Sequence, residues 1–343
     1  MMPSGSAGTT PDRPGPAARA AGMLAGVAIG DALGMPGEFL SRETIREWYG
    51  SITDLRYADA RHPHARLPAG SVTDDTDHTL MLADLLLEEG RIEPSALARR
   101  LLDWGRSPRV VSNRFVGPST LKVLQALEAG AKLEDVPRGG TSCGAAMRVA
   151  ALAIALPDRA ELEDQVVASC SVSHFTKAAI SGAMAMAFAL SEALASEGDL
   201  DRIATAAIEG SERGARHGAW SWSAPLGKRI GHAMRWAATL DEDRLLDNLY
   251  ELIGVDMYAD QLVPGAIALT AASGADPNRA MRLAANLGGD SDTLASMTGS
   301  LAGAVNGIEA LRPDWVAEVE RVNGLALAPL ADRLLAMRAG KAP

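Results

Sequence analysis

The stretch "KAAISGAMAMAFALSEAL", residues 177–194, sets apolar side chains three and four positions apart with no proline to interrupt them. That is the period of an α-helix, not the alternation of a strand. The same spacing recurs in "MLADLLLEEG" (81–90), "ALARRLLDWG" (96–105), "STLKVLQALEAG" (119–130), "AAMRVAALAIAL" (145–156), "GAIALTAAS" (265–273) and "DTLASMTGSLAGAVNGI" (292–308). Several of these runs end in glycine, a common helix stop. Strand patterns are scarce, and "SITDLRYA" (51–58) is the best candidate. Aromatic residues make up 4% of the chain while alanine and glycine abound, so helices are expected to approach closely. With no long linker between residues 20 and 339, the reading is all-α: one compact helical domain over 20–340. Residues 1–19 are expected to form a flexible tail. No repeat of 20–50 residues suggests a solenoid.

Bulk properties narrow the function. Hydrophobic residues make up 47% of 343, enough for a sizeable core. A net charge of −10 argues against nucleic acid or an anionic membrane as partner. Cys143 and Cys170 are too few for a disulfide framework and lack zinc spacing, which suits the cytoplasm. No apolar stretch of 18 residues is expected, and hence no membrane span. The first 20 residues lack the apolar segment of a signal peptide.

Two acidic clusters stand out. "SVTDDTDHTL" (71–80) carries Asp74, Asp75 and Asp77, and "GGDSDTLASM" (288–297) carries Asp290 and Asp292. Each opens a predicted helix, 74–89 and 290–308. The plain reading of either cluster is N-capping, because Asp and Thr accept the free N–H groups of a first turn. Capping, however, uses one or two side chains. Adjacent carboxylates beyond that number are costly unless a cation compensates them. A third segment, "GVAIGDALGMPGEFL" (26–40), adds Asp31 and Glu38 around a break at Gly34, Pro36 and Gly37. Alone, Glu38 reads as an ordinary loop glutamate.

Together, "GDALGMPGEF", "TDDTDHTLMLADLL", "CGAAMRVAALA", "SHFTKAAISGAMAMA" and "NLGGDSDTLASMTGSLAGAVNG" occur in the order found in the ADP-ribosylglycohydrolase family. The chain resembles bacterial members that remove ADP-ribose from dinitrogenase reductase or from arginine. The likeness runs from about residue 20 to residue 310. It implies an all-α fold holding two Mg²⁺ or Mn²⁺ ions in a cleft. It also implies that Thr73, Asp74 and Asp75 bind the ions from one side, and Asp290, Asp292 and Thr293 from the other, with Glu38 over the site. All-oxygen ligands agree independently with hard cations. The implied chemistry is hydrolysis of an N-glycosidic bond at ribose, with Glu38, Asp75 and Asp292 as the catalytic candidates and their roles unseparated. Asp77 and His78 lie outside this set; Asp77 is expected to cap the helix or support its neighbours, and His78 has no assigned role.

On the substrate side the resemblance implicates His174, in "SVSHFTK", and the neighbourhood of Gly117, Ser142, Cys143 and Gly144. Many relatives carry asparagine where this chain has Cys143, so an amide that could bond ribose or phosphate is missing. Backbone N–H groups at Gly139, Gly140 and Gly144 could still hold a diphosphate. A nucleophilic Cys143 is not expected, since no histidine lies near it in sequence. Arg148 reads as a partner for a carboxylate or for substrate, and Met184 and Met186 as core. The leading expectation is release of ADP-ribose from a protein or small-molecule acceptor. The alternatives are hydrolysis of a smaller, nucleoside-like N-ribosyl compound and a non-catalytic binding or structural role, since the family includes a lens crystallin.

Overall fold

A computed structural model describes residues 13–113, 116–196 and 198–340. Among these residues the α-helices are, in order, α1 (Pro16–Gly34), α2 (Arg42–Tyr49), α3 (Asp74–Glu89), α4 (Pro94–Gly105), α5 (Pro108–Asn113), α6 (Pro118–Glu128), α7 (Ala150–Ala155), α8 (Arg159–Cys170), α9 (Lys177–Ala195), α10 (Leu200–Gly214), α11 (Leu226–Thr239), α12 (Glu242–Asn248), α13 (Ala259–Ala272), α14 (Pro277–Ala285), α15 (Ser291–Asn306), α16 (Pro313–Asn323) and α17 (Leu327–Arg338). The all-α expectation holds: among the described residues no strand forms, only isolated bridges such as Leu40 with Gly289.

α1 and α15 form the central pair, and small residues bring them together. Gly22, Gly26, Gly30 and Gly34 recur every four residues and so share one face of α1. A Cβ at Gly22, Gly26 or Gly30 would fall onto the carbonyl oxygen of Gly303, Gly299 or Ala295 respectively, and one at Gly34 onto Ser291 and Asp292. The backbones therefore touch, and the acid-bearing ends of both helices arrive at the same place. α9 lies deep in the core, with Met184, Met186 and Phe188 at 0% exposure.

Three expectations are corrected. Residues 51–58 make no strand and run as irregular chain. Ile52 and Ala58 of that stretch are buried, and the Ile52 backbone is held by Asn286, which accepts its N–H and donates to its carbonyl. α1 starts at Pro16, inside the expected tail, with Arg19 buried; residues 1–12 lie outside the described residues. Finally, two helical stretches, Pro16–Gly37 and Lys177–Ala195, are long and apolar enough to cross a membrane, contrary to the reading that none reaches that length. Both are largely buried within the fold, which accounts for their all-round apolar character.

Candidate active site

The site begins with Asp31, in the last turns of α1. This buried carboxylate accepts from the backbone N–H and hydroxyl of Thr73, at 3.0 and 2.8 Å, and from those of Thr76, at 3.1 and 2.5 Å. Thr73 is the N-cap residue of α3, yet its side chain caps nothing in that helix. Asp31 supplies the cap from a different helix. The capping reading of the first cluster therefore fails, and Asp74 and Asp75 are free for another use. In the second cluster, Asp290 is the N-cap of α15 and likewise makes no side-chain cap, while Asp292 Oδ1 accepts the N–H of Thr293 at 2.9 Å.

The glycine pair before Asp290 steers this second cluster. Gly288 and Gly289 have φ of +80° and +66°, which L side chains rarely adopt, and a Cβ on either would strike a backbone carbonyl. The bare backbone passes between Leu40 and Val255. Phe39 N–H donates to Gly289 O, and Gly289 N–H donates to Leu40 O. The loop bearing Glu38 is thus tied to the loop bearing Asp290.

Glu38 has two histidine partners that the sequence did not single out. His62 Nε2 donates to the Glu38 carbonyl at 2.9 Å, and His64 Nε2 donates to its carboxylate at 2.9 Å. His62 Nδ1 accepts the His64 backbone N–H, which fixes the proton of His62 on Nε2. Burial holds His62 below the usual histidine range.

Across the clusters the carboxylates repel one another. Burial first, then the charge of Asp292, pushes Asp74 and Asp75 well above the ordinary carboxylate range. Asp292 is raised likewise by burial and by Asp290. Burial raises Asp31 to about 6 and Asp290 to about 7, and burial together with Asp292 raises Glu38 to about 8. Asp75 Oδ2 accepts from the Thr293 hydroxyl at 3.2 Å, bridging the two clusters, and Asp75 Oδ1 is buried with no protein partner. Such a group must be protonated or neutralised by a cation. Among the described residues no set of three or more His, Cys, Asp or Glu side chains is already arranged to hold an ion. A cation here would draw on threonine hydroxyls and water as well, as hard oxygen-loving ions do. The donor set and the orphaned oxygen fit such an ion.

A cavity of about 240 Å³ opens onto this group. It is lined by Glu38, Thr73, Asp74, Asp290, Asp292 and Thr293 on one side and by Gly117, Ser142, Cys143, Gly144 and His174 on the other. The proposed ligands and the substrate-side candidates Gly117, Ser142, Cys143, Gly144 and His174 are therefore brought to one place, except Asp75, which lies beneath the wall at 1% exposure, while Gly139 and Gly140 line an adjoining cleft. Phe39, His64, Met147 and Met257 also line the cavity and were not foreseen.

The family profile for ADP-ribosylglycohydrolase matches residues 12–343. YegU of Escherichia coli (strain K12) is 34% identical, covering 90% of this chain and 93% of its own. The ADP-ribosylarginine hydrolase Tri1 of Pseudomonas putida (strain GB-1) is 28% identical, covering 94% and 82%. Among solved structures, an ADP-ribosylglycohydrolase-related protein complex superposes with a TM-score of 0.72 at 28% identity, covering 94% of this chain and 99% of that one. The chain belongs to the ADP-ribosylglycohydrolase family. It is a glycosidase-type hydrolase.

Within that family frame, the substrate wall has several particular features. His174 is 1% exposed and is held below the usual range, at about 3, by burial and by Arg148. Its ring is neutral, and both nitrogens meet hydroxyls: Nδ1 with Ser173 at 2.7 Å and Nε2 with Ser142 at 2.8 Å. Gly144 packs flat on this ring, leaving no room for a Cβ. The Cys143 thiol is buried, pushed well above its ordinary range, and turned toward Met297 Sδ at 3.9 Å. It offers substrate neither a thiolate nor an amide. Arg148 is buried and donates to the Ser169 carbonyl at 2.7 Å, which corrects the reading of a carboxylate or substrate partner. Asp77 accepts from Trp104 Nε1 at 2.9 Å and from Arg109 at 2.7 Å, bracing α3 against α4 and α5.

Proposed function

We propose that the chain is a metal-dependent N-glycosidase that releases ADP-ribose from an ADP-ribosylated protein or small-molecule acceptor, with two Mg²⁺ or Mn²⁺ ions as cofactors. One observation carries this reading: buried carboxylates with raised pKa converge on the cavity, Asp74, Asp290 and Asp292 in its wall and Asp75 just beneath it with Oδ1 unpartnered. Thr73, Asp74, Asp75, Asp290, Asp292, Thr293 and Glu38 are the ligands proposed. Divalent ions bound there would orient vicinal ribose hydroxyls and lower the pKa of a water.

The chain's own groups do the rest. Glu38 projects into the cavity with its carboxylate pinned by His64 and its carbonyl by His62, so its position is fixed before substrate arrives. A carboxylate held in that place is within the cavity where it can draw a proton from an attacking water. The proton released on one side is available to the departing acceptor nitrogen. Asp75 and Asp292 hold their places through Thr293, whose hydroxyl and amide bond one each. Ser142, oriented by His174, presents a hydroxyl to the ribose or the phosphate. An adjoining cleft of about 310 Å³ shares Pro118, Ser142 and Met257 with the first and adds Lys122 and Gly140, a cation and a bare backbone that suit a diphosphate.

The inward-turned Cys143 thiol favours a second reading, hydrolysis of a smaller N-riboside without a diphosphate. Chromatography of products from ADP-ribosylated arginine peptides and from plain N-ribosides, with Mg²⁺, Mn²⁺ or EDTA, decides between them. Metal-dependent ADP-ribose release supports the first reading. Turnover of the plain ribosides alone replaces it with the second. Turnover undiminished by EDTA removes the metals.

A further inference from the structure

A second cleft, of about 710 Å³, lies between the start of α9, the later turns of α10, and α11, and shares no lining residue with the carboxylate cavity. Its chemistry is opposite in sign. On α11, Lys228, Gly231, His232 and Arg235 recur at three- and four-residue spacing, so one face of the helix forms the wall. Lys177 stands at the start of α9, and Glu212 is the single carboxylate of the lining. Neighbouring arginines are paired, Arg213 with Glu163 and Arg229 with Asp260. Among the described residues, no carboxylate pairs with Lys177, Lys228 or Arg235. In a chain of net charge −10, three unpaired cations around one hollow make a local field that selects anions.

Two further features give the ligand its shape. Trp220 lines the cleft at 64% exposure, and Trp222, 88% exposed, meets it edge-on with ring centroids 4.7 Å apart. In a chain with 4% aromatic residues, the exposed Trp220 indole gives the cleft an apolar wall beside the cations, with Trp222 standing edge-on against it. Gly231 is a mid-helix glycine with no packing reason. The nearest atom a Cβ would meet is the Arg235 guanidinium, 3.8 Å away. Such a glycine weakens its helix relative to alanine, and at this position it leaves the wall of the cleft bare of a side chain. Leu226 and Gly227, in the first turn of α11, also border the cleft, and α11 has no side-chain cap.

We propose that this cleft is a second binding site, for a nucleotide carrying two or three phosphates, with its base against Trp220 and its phosphates over Lys177, Lys228 and Arg235. A flat indole face suits a base, and clustered cations beside a helix start suit a polyphosphate. The volume falls in the range of small-ligand sites.

Calorimetric titration of the full chain tests this, with ATP, adenosine, tripolyphosphate and a hexaglutamate peptide as probes. ATP is expected to bind more tightly than adenosine or tripolyphosphate, because each has only half of the match. Lys228→Glu and Arg235→Glu should each weaken ATP by about tenfold, and Trp220→Ala by a similar factor, about tenfold. All three side chains are exposed, and unchanged melting temperatures verify the fold. Gly231→Ala should weaken ATP while raising the melting temperature, a combination that a purely structural glycine would not give. The proposal is overturned if ATP binds these variants as it binds the wild type, which places the nucleotide elsewhere. It is also overturned if hexaglutamate binds more tightly than ATP, which makes the cleft a surface for an acidic protein, or if no probe binds.

Discussion

Asp31 and Asp75 show how a single carboxylate is put to use. Asp31 accepts four hydrogen bonds and is structural. Asp75 leaves one oxygen without a protein partner and is open to a ligand. Asparagine at position 75 or 292 keeps the size and removes the charge. Each variant is expected to lose at least about a hundredfold in turnover, on the scale of removing a preorganised charged group, with an unchanged circular dichroism spectrum. Wild-type turnover in Asp292→Asn would take that residue out of the mechanism. At Cys143 the expected effect is a gain. Asparagine there restores an amide, and one good hydrogen bond to a charged group is worth about 1.5–3 kcal/mol. The wild type is expected to bind ADP-ribose modestly and the variant more tightly in a calorimetric titration; equal affinity would mean that the amide is not what the diphosphate side lacks.

Among the elements, the pairing of α1 with α15 matters most, because it carries the two acid-bearing ends to one place. Gly26 and Gly30 lie where the backbones touch. An added methyl has no room to go, and overpacking of this kind costs about 1–3 kcal/mol or more. Gly26→Ala should therefore lower the melting temperature and, by separating the helix ends, weaken divalent-ion binding as well. A thermal melt and a Mn²⁺ titration of the same variant check both effects. A variant that melts lower yet binds Mn²⁺ normally would uncouple the packing from the site.

For the whole molecule, the raised carboxylates predict how stability depends on pH. Glu38, Asp290 and Asp31 have folded pKa values of about 8, 7 and 6, above those of the unfolded chain. Below about pH 4 both states are protonated and these groups cost nothing. As the pH rises toward 8 the native state holds the extra protons, so stability falls with pH. In EDTA the melting temperature should therefore decline from about pH 5 to pH 8. Saturating Mg²⁺ or Mn²⁺ should reverse much of the decline, since a ligand at a hundred times its dissociation constant adds about 2.7 kcal/mol. A melting temperature that rises with pH in EDTA, or that ignores both metals, would contradict the reading of the site as an uncompensated anionic cage.

The helices could be read from local spacing because apolar side chains recur with the period of the element that buries them. α3 begins and ends as expected, at Asp74 and Glu89. The two acidic clusters were legible for a related reason: adjacent carboxylates are costly, and a chain that keeps them needs a use for them. The sequence did not show that Asp31 caps α3 from another helix, or that His62 and His64 pin Glu38. "RHPHARLP" has no period, and those contacts span 24 to 45 residues of chain. Nor did local spacing show that Lys177, Trp220 and Lys228 share one hollow. Periodicity records which face of an element is buried. Which faces meet is decided by packing, and here the glycine rows of α1 and α15 decide it, because only where side chains are absent can two backbones come close enough to place charges from distant segments side by side.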